Sequence, residues 1–90
     1  MNYHSGEKID LGDIVTFDIG PGNYVKARVV LLGDDQTHLE MCSEYLQGIQ
    51  EINLVESNMI VAEYLDNDGH PVGNYCPTAL GGVELIKKSV

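Results

Sequence analysis

Apolar and polar residues alternate with a period of two along the first third of the chain, which is the pattern of β-strands with one buried face. Residues 13–19, DIVTFDI, alternate in this way, and GPGN at residues 20–23 predicts the turn that follows. A second strand is predicted over residues 24–32, YVKARVVLL. Its apolar face is expected to contain Val25, Ala27, Val29 and Leu31.

More strands are predicted further along the chain. The turn Gly33-Asp34-Asp35 ends the second strand, and residues 36–42 are expected to form its hairpin partner because apolar and polar residues alternate there. Residues 58–65, NMIVAEYL, and 83–87, VELIK, have the same period. Residues 66–70 contain Asp-Gly, which tight hairpins favour because glycine tolerates a positive φ. A turn between two strands is predicted there.

Residues 43–57 interrupt the period of two. Roughly helical spacing relates Tyr45, Leu46, Ile49 and Ile52. Ser43 is in position to cap a helix, although Gly48 lowers the helix propensity. We expect at most one short helix, near Glu44 to Gln50. Residues 52–55 could instead form a short strand.

Five or six short strands within 90 residues predict a mostly β protein, a small antiparallel barrel of one domain that spans residues 1–90. The stretch LGDIVTF at residues 11–17 resembles the start of SH3-like barrels, including KOW-type modules. This resemblance covers residues 11–42 and implies the fold only. RNA-binding members have basic loops where this chain has Gly33-Asp34-Asp35, so no nucleic-acid partner is expected.

The chain is strongly acidic, with five Lys and Arg against fourteen Asp and Glu and a formal net charge of −9. No Lys or Arg occurs between Arg28 and Lys87. The acids of this interval are Asp34, Asp35, Glu40, Glu44, Glu51, Glu56, Glu63, Asp66, Asp68 and Glu84. A negatively charged surface repels nucleic acid and anionic membranes and attracts cationic partners. Solubility alone is the alternative explanation of the same charge.

Localisation and cysteine chemistry are predicted together. Residues 1–10, MNYHSGEKID, lack the apolar core of a signal peptide, and no later apolar run is long enough to span a membrane. A cytoplasmic protein without a membrane partner is therefore expected. In that compartment Cys42 and Cys76 are interpreted as small buried hydrophobic residues, with a disulfide as the alternative.

Two kinds of metal site can be tested against the sequence. An EF-hand loop with Gly69 at its sixth position would have Tyr64 first and Tyr75 twelfth, where carboxylates are required. A zinc site would draw on His38, Cys42, His70 and Cys76. These residues lack the short spacings of zinc ligands, and two residues four apart on a strand are separated by about 13 Å. No metal and no cofactor is predicted.

Nucleophilic catalysis would combine Cys76 or Cys42 with His70 or His38. Thiolate formation needs nearby positive charge or a helix N-terminus, and an acidic environment disfavours it. The many carboxylates single out no acid–base pair. Gly20-Pro21-Gly22 precedes a strand, whereas a phosphate-binding loop precedes a helix. No enzymatic activity is expected.

Three stretches resemble small bacterial toxin-immunity proteins, which are stand-alone SH3-like domains that neutralise a partner toxin. They are SGEKIDLGDIV at residues 5–15, VVL at residues 29–31, and Pro77 together with GVELIK at residues 82–87. The resemblance covers the two ends of the chain and leaves residues 33–75 without a counterpart. It implies a tight, non-catalytic complex with a protein, often a nuclease with a basic active site.

The acidic interval independently fits this role, because an inhibitor of a nucleic-acid enzyme can place carboxylates where the phosphates of the substrate would lie. The predicted partner-binding residues are Asp34, Asp35, Glu40, Glu44, Glu51 and Glu56, with Tyr45 as an aromatic anchor. Reversal of Asp34 and Asp35 to Lys is expected to slow association without unfolding the domain. Reversal of Asp13, at the start of the first strand, is expected to leave partner binding unchanged.

Two other functions remain open at this point. One is an SH3-like accessory or regulatory module of a larger assembly, and the other is a small-molecule-binding domain. The sequence pattern indicates no particular oligomeric state.

Overall fold

The structure, a computed structural model, describes residues 1–89 and contains five strands and one α-helix within them. The elements are β1 Ile14–Asp18, β2 Tyr24–Leu32, α1 Ser43–Glu51, β3 Met59–Leu65, β4 Pro71–Ala79 and β5 Glu84–Lys87, with a 3₁₀ turn at Leu80–Gly82. The strands form one antiparallel sheet in the order β4-β3-β2-β1-β5. The prediction of a mostly β protein with one short helix is therefore confirmed. Because the pairing leaves β4 and β5 as sheet edges, closure into an SH3-like barrel stays a prediction.

Two of the three predicted hairpin turns join paired strands. Strand β1 pairs with β2 from Ile14 opposite Arg28 to Asp18 opposite Tyr24, so the chain reverses at residues 20–23. Strands β3 and β4 are joined at residues 66–70, where Gly69 has a φ of 83°. A positive φ is readily adopted by glycine, which explains why Asp-Gly is found at this turn.

Strand β2 contains a bulge at Val30, which changes the residues that share a face. Val29 lies opposite Ala62 of β3, but Leu31 lies opposite Val61. One extra residue on one strand reverses the alternation of side chains beyond it. The prediction that Leu31 shares a face with Val25, Ala27 and Val29 is therefore wrong.

Each face of the sheet carries its own hydrophobic cluster. The first cluster contains Tyr3, Ile9, Val15, Phe17, Ala27, Val29, Ile60, Ala62 and Val83. The second contains Val30, Leu31, Ile49, Val55 and Val61. Strand β3 contributes to both by simple alternation, since Val61 belongs to the second cluster and its two neighbours to the first. Helix α1 covers the second face through Ile49.

Residues 36–42 do not form the predicted hairpin strand. A single isolated bridge, between His38 and Leu31, joins them to β2. Gln36 has a φ of 61°, a left-handed conformation that interrupts an extended chain. Leu39 and Met41 nevertheless pack against the second cluster, so their alternation reflects burial in an irregular segment.

The carboxylate of Asp13 is fully buried and joins the two ends of the described chain. Its Oδ2 accepts hydrogen bonds from the Tyr3 hydroxyl at 2.7 Å, the Lys88 ammonium at 2.7 Å and the Asp10 N–H at 3.0 Å. Its Oδ1 accepts from the Ser89 N–H at 2.9 Å. A lysine at position 13 would bury a second cation beside Lys88, so Asp13 is poorly suited as a control position. The expectation that its reversal leaves partner binding unchanged stays a prediction.

Candidate partner-binding surface

The N-terminal end of helix α1 is fixed by tyrosines. Among residues 1–89 no side chain caps the helix, and Cys42, not Ser43, occupies the N-cap position, so the predicted Ser43 cap is wrong. The Cys42 N–H donates to the Tyr75 hydroxyl at 3.0 Å. The rings of Tyr45 and Tyr75 stack with their centroids 4.8 Å apart. Burial raises the pKa of Tyr45. Tyr45 is therefore half-buried and already engaged within the chain.

The C-terminal end of helix α1 is closed by a left-handed residue. Asn53 has a φ of 49°, and Leu54 donates its N–H to the carbonyl oxygen of Ile49 at 3.0 Å. This geometry is the Schellman type of helix end, in which the chain turns away from the helix axis. Ile52 and Leu54, on either side of this turn, are 68% and 41% exposed.

The acidic turn after β2 lies against the segment that follows this helix end. Gly33 donates its N–H to the Met59 carbonyl oxygen at 2.9 Å. A Cβ at Gly33 would overlap the Glu56 carbonyl oxygen, so the two backbones are in direct contact. The Gln36 amide donates to the carbonyl oxygen of Val55 at 3.5 Å. Asp34 and Asp35, which follow Gly33, are therefore near the Glu56 backbone, and they also line a depression together with Met1, Lys8 and Asp10.

The structure thus divides the seven predicted partner-binding residues into two groups. Glu40, Glu44 and Tyr45 lie at the N-terminal end of α1. Glu51 and Glu56 lie at or just beyond its C-terminal end, and Asp34 and Asp35 join them through Gly33, whose backbone contacts Glu56. A nine-residue helix separates the groups by about 13 Å. The second group, together with Ile52 and Leu54, is called the α1 end surface below.

The acids of the α1 end surface are largely free of cations. Within residues 1–89, the one ion pair they make joins Asp34 to the Met1 amino group at 3.4 Å, and Asp34 remains exposed. Side-chain ion pairs of Arg and Lys are found elsewhere, between Arg28 and the buried Glu63 at 2.7 Å and between Lys88 and Asp13 at 2.7 Å. The absence of Lys and Arg between residues 28 and 87 therefore leaves this end of the helix with a net negative field.

Asp35 also has a structural role. Its carboxylate accepts hydrogen bonds from the Thr37 hydroxyl at 2.7 Å and the Thr37 N–H at 3.0 Å, and these bonds lower the pKa of Asp35. Lysine at this position would remove both bonds. Charge reversal at Asp35 is therefore a poorer probe of binding than the sequence suggests, and Glu51 and Glu56 are better positions.

The hairpin turn at residues 66–70 brings together the carboxylates of Asp66 and Asp68 and the imidazole of His70, with ligand atoms within 4.8 Å of one another. All three residues are exposed. The turn itself accounts for this arrangement, because Asp66 Oδ1 accepts the N–H groups of Asp68 and His70 at 2.9 Å each. These bonds lower the pKa of Asp66, the His70 N–H being the main cause. The absence of a structural metal stays a prediction.

The zinc ligands considered from sequence do not converge. Within the described residues, His38, Cys42 and Cys76 belong to no such group of three potential ligands. Both cysteines are free thiols, and Cys42 is exposed, so the interpretation of Cys42 as a buried hydrophobic residue is wrong. Cys76 is half-buried, and its thiol donates to the Pro77 carbonyl oxygen at 3.6 Å. The interaction of Tyr64 with the neighbouring Cys76, together with burial, raises the pKa of Tyr64 to about 12.

A shallow depression of about 380 Å³ bears on the small-molecule alternative. It lies between the N-terminal segment and the start of β5, and Tyr3, His4, Glu7 and Glu84 line it. The carboxylates of Glu7 and Glu84 would favour a cationic or neutral ligand over an anion.

Sequence reasoning missed Ile52 and Leu54 as surface residues. The spacing of Ile52 from Ile49 matches a helix, which favoured burial, but the helix ends before it. Asn53 was the available signal, since asparagine is one of the few residues that readily adopt the left-handed conformation at a helix end.

The α1 end surface thus combines carboxylates that few cations neutralise with exposed apolar side chains. Within residues 1–89, the one α-helix has nine residues, and no helix is long and apolar enough to cross a membrane. Comparison with known proteins finds no matching family model, no matching curated protein and no matching solved structure.

Proposed function

We propose that this chain is a non-catalytic protein-binding module of the bacterial cytoplasm that inhibits a basic partner, such as a toxic nuclease. The α1 end surface makes the principal contact, and Glu40 and Glu44, near the N-terminal end of α1, extend it. The observation that carries the proposal is the combination of exposed apolar side chains with carboxylates that few cations neutralise. A purely solubilising surface needs the charge but gains nothing from exposed apolar groups.

Charge complementarity would give this surface its partner selectivity. Carboxylates raise the association rate of a basic protein and disfavour acidic ones. They also occupy the positions that phosphates would take in the active site of a nuclease, which is the role that the resemblance to toxin-immunity proteins implies.

The test begins with capture of partners from the host lysate on the immobilised protein, followed by association kinetics with each purified partner. The variant Glu51→Lys/Glu56→Lys should reduce the association rate at least tenfold at low salt, since it reverses two charges of the surface. The variant Glu7→Lys/Glu84→Lys is the matched control, because it changes net charge by the same amount at two other exposed positions. The control should retain most of the association rate.

Salt gives an independent measurement. Raising the ionic strength from about 0.05 M to 0.5 M shortens the Debye length to a few ångströms and should slow association of the parent protein much more than of the double variant. Equal association rates for the two double variants, or binding that is indifferent to salt, would mean that the acidic surface serves solubility alone.

A further inference from the structure

The exposed apolar side chains of the α1 end surface occupy a single short segment. Ile52 and Leu54 flank Asn53, whose left-handed backbone forms the tip of the connection between α1 and β3. Other exposed apolar side chains, such as Ile19 and Tyr24, belong to the first hairpin. Isolated exposed apolar residues are common, but an apolar pair on a defined helix end offers a partner a compact contact.

The electrostatic environment of this pair is negative from three sources. Glu51 precedes Ile52 and Glu56 follows Leu54, and no basic residue lies in the last turn of α1. The carboxyl end of a helix also carries partial negative charge from its carbonyl groups. Asp34 and Asp35 add to this field from the neighbouring turn.

We infer that the occupant of the α1 end surface is an amphipathic basic segment of a partner protein, in which an apolar side chain that contacts Ile52 and Leu54 is flanked by Lys or Arg. This inference rests on the proposed function and deepens it by naming the chemistry that is recognised. Charge complementarity selects a basic occupant. A second copy of the chain would bring two sets of these acids together, which like-charge repulsion disfavours.

The test uses two synthetic 14-residue peptides of equal positive charge. One has alternating clusters of Lys and Leu in a helical amphipathic pattern, and the other has Ser in place of every Leu. Titration of the ¹⁵N-labelled protein followed by NMR locates the contact, and calorimetry gives the affinity. The Leu peptide should bind at least tenfold more tightly than the Ser peptide, with the largest shift changes in residues 49–56 and 34–35. A tenfold ratio is the effect expected from burial of roughly one aliphatic side chain.

The same change, isoleucine to serine, at two different positions separates the apolar contribution to peptide binding from the contribution of charge. Ile52→Ser should reduce the preference for the Leu peptide at least fivefold, whereas Ile19→Ser, at a residue 57% exposed in the first hairpin, should preserve it. Equal binding of both peptides at the α1 end surface, unaffected by Ile52→Ser, would overturn the apolar contact but leave the acidic proposal standing. Failure of both peptides to contact residues 34–56 would overturn both. Concentration-dependent shifts of residues 49–56 without peptide would identify a second copy as the occupant and also overturn the inference.

Discussion

Asp13 shows how one buried carboxylate can hold both ends of a small chain. Burial alone would raise the pKa of Asp13, but hydrogen bonds from Lys88, the Asp10 N–H, Tyr3 and the Ser89 N–H together lower it below its ordinary value of 3.8. The same contact raises the pKa of the Lys88 ammonium. The ionised form of Asp13 is therefore the form that the fold stabilises.

The change Asp13→Asn should lower the free energy of unfolding by about 3 kcal/mol at pH 7, because it leaves polar groups buried without their ionic partner. A folded-state pKa below 3.8 means that the contribution is present above that pH and is lost as the pH falls further. Urea denaturation of parent and variant between pH 2.5 and 8 should therefore show a difference that shrinks below about pH 4. Asp68→Asn, at an exposed side chain, is the control and should change stability by no more than roughly 0.5 kcal/mol. A pH-independent difference would contradict the role of ionisation.

Gly33 is required by close contact between two segments. Its backbone lies against the carbonyl oxygens of Glu56 and Met59, and a methyl group there would overlap both. The change Gly33→Ala should therefore destabilise the fold by about 3 kcal/mol or more, since neither carbonyl belongs to a flexible side chain. Thermal denaturation followed by circular dichroism gives the measurement, and an unchanged melting temperature would show that the two segments can separate without cost.

Helix α1 depends on packing more than on its own sequence. It has nine residues, no side-chain cap and Gly48 in its interior. Such a helix is marginal alone, and burial of Ile49 against the sheet stabilises it.

Replacement of Gly48 by Ala tests this description of the helix. Apart from the helix itself, none of the described residues has an atom within 4 Å of the new methyl group, so the helix propensity of alanine should raise the free energy of unfolding by about 1 kcal/mol. Urea denaturation at pH 7 measures the gain. A loss of stability would mean that position 48 contacts something in the folded protein that the structure does not show.

The strands and the helix could be predicted because their signals are local. Alternation over residues 24–32, Asp-Gly at residues 68–69 and helical spacing near residues 45–49 each depend on adjacent residues. The errors arose where distant contacts decide. The bulge at Val30 depends on pairing with β3, and burial of Asp13 depends on Lys88, which is 75 residues away in the chain.

The same distinction applies to the candidate surface. The acidic residues of this surface could be predicted from composition, because the interval without Lys and Arg can be read directly from the sequence. The sequence does not show which of these acids lie at each end of α1. Nor does it show that Asp35 holds the turn through Thr37, whereas Glu56 makes no ion pair within residues 1–89. Those differences depend on where the chain turns, which only the folded arrangement determines.

The charge of the whole molecule predicts how its stability responds to salt. The chain has a net charge of −9, and its described residues have a radius of gyration of 12.2 Å. The negative charges therefore repel one another more strongly in the folded state than in the expanded unfolded state. Raising NaCl from 0.02 M to 0.5 M should therefore increase the free energy of unfolding by on the order of 1 kcal/mol through screening. Urea denaturation at the two salt concentrations measures this gain, and it should be smaller in Glu51→Lys/Glu56→Lys. A decrease in stability with salt would show that ion pairs such as Arg28–Glu63 outweigh the repulsion.

Burial of β2 on both of its faces couples the two hydrophobic clusters during unfolding. Strand β2 contributes Ala27 and Val29 to the first cluster and Val30 and Leu31 to the second, so both clusters pack against the same strand. Disruption of either cluster removes support from the residues that hold the opposite one, so the two sides cannot melt as separate units. The backbone amides of β2 on either side of Val30 should then exchange with solvent hydrogen only through complete unfolding, and with a common free energy of opening.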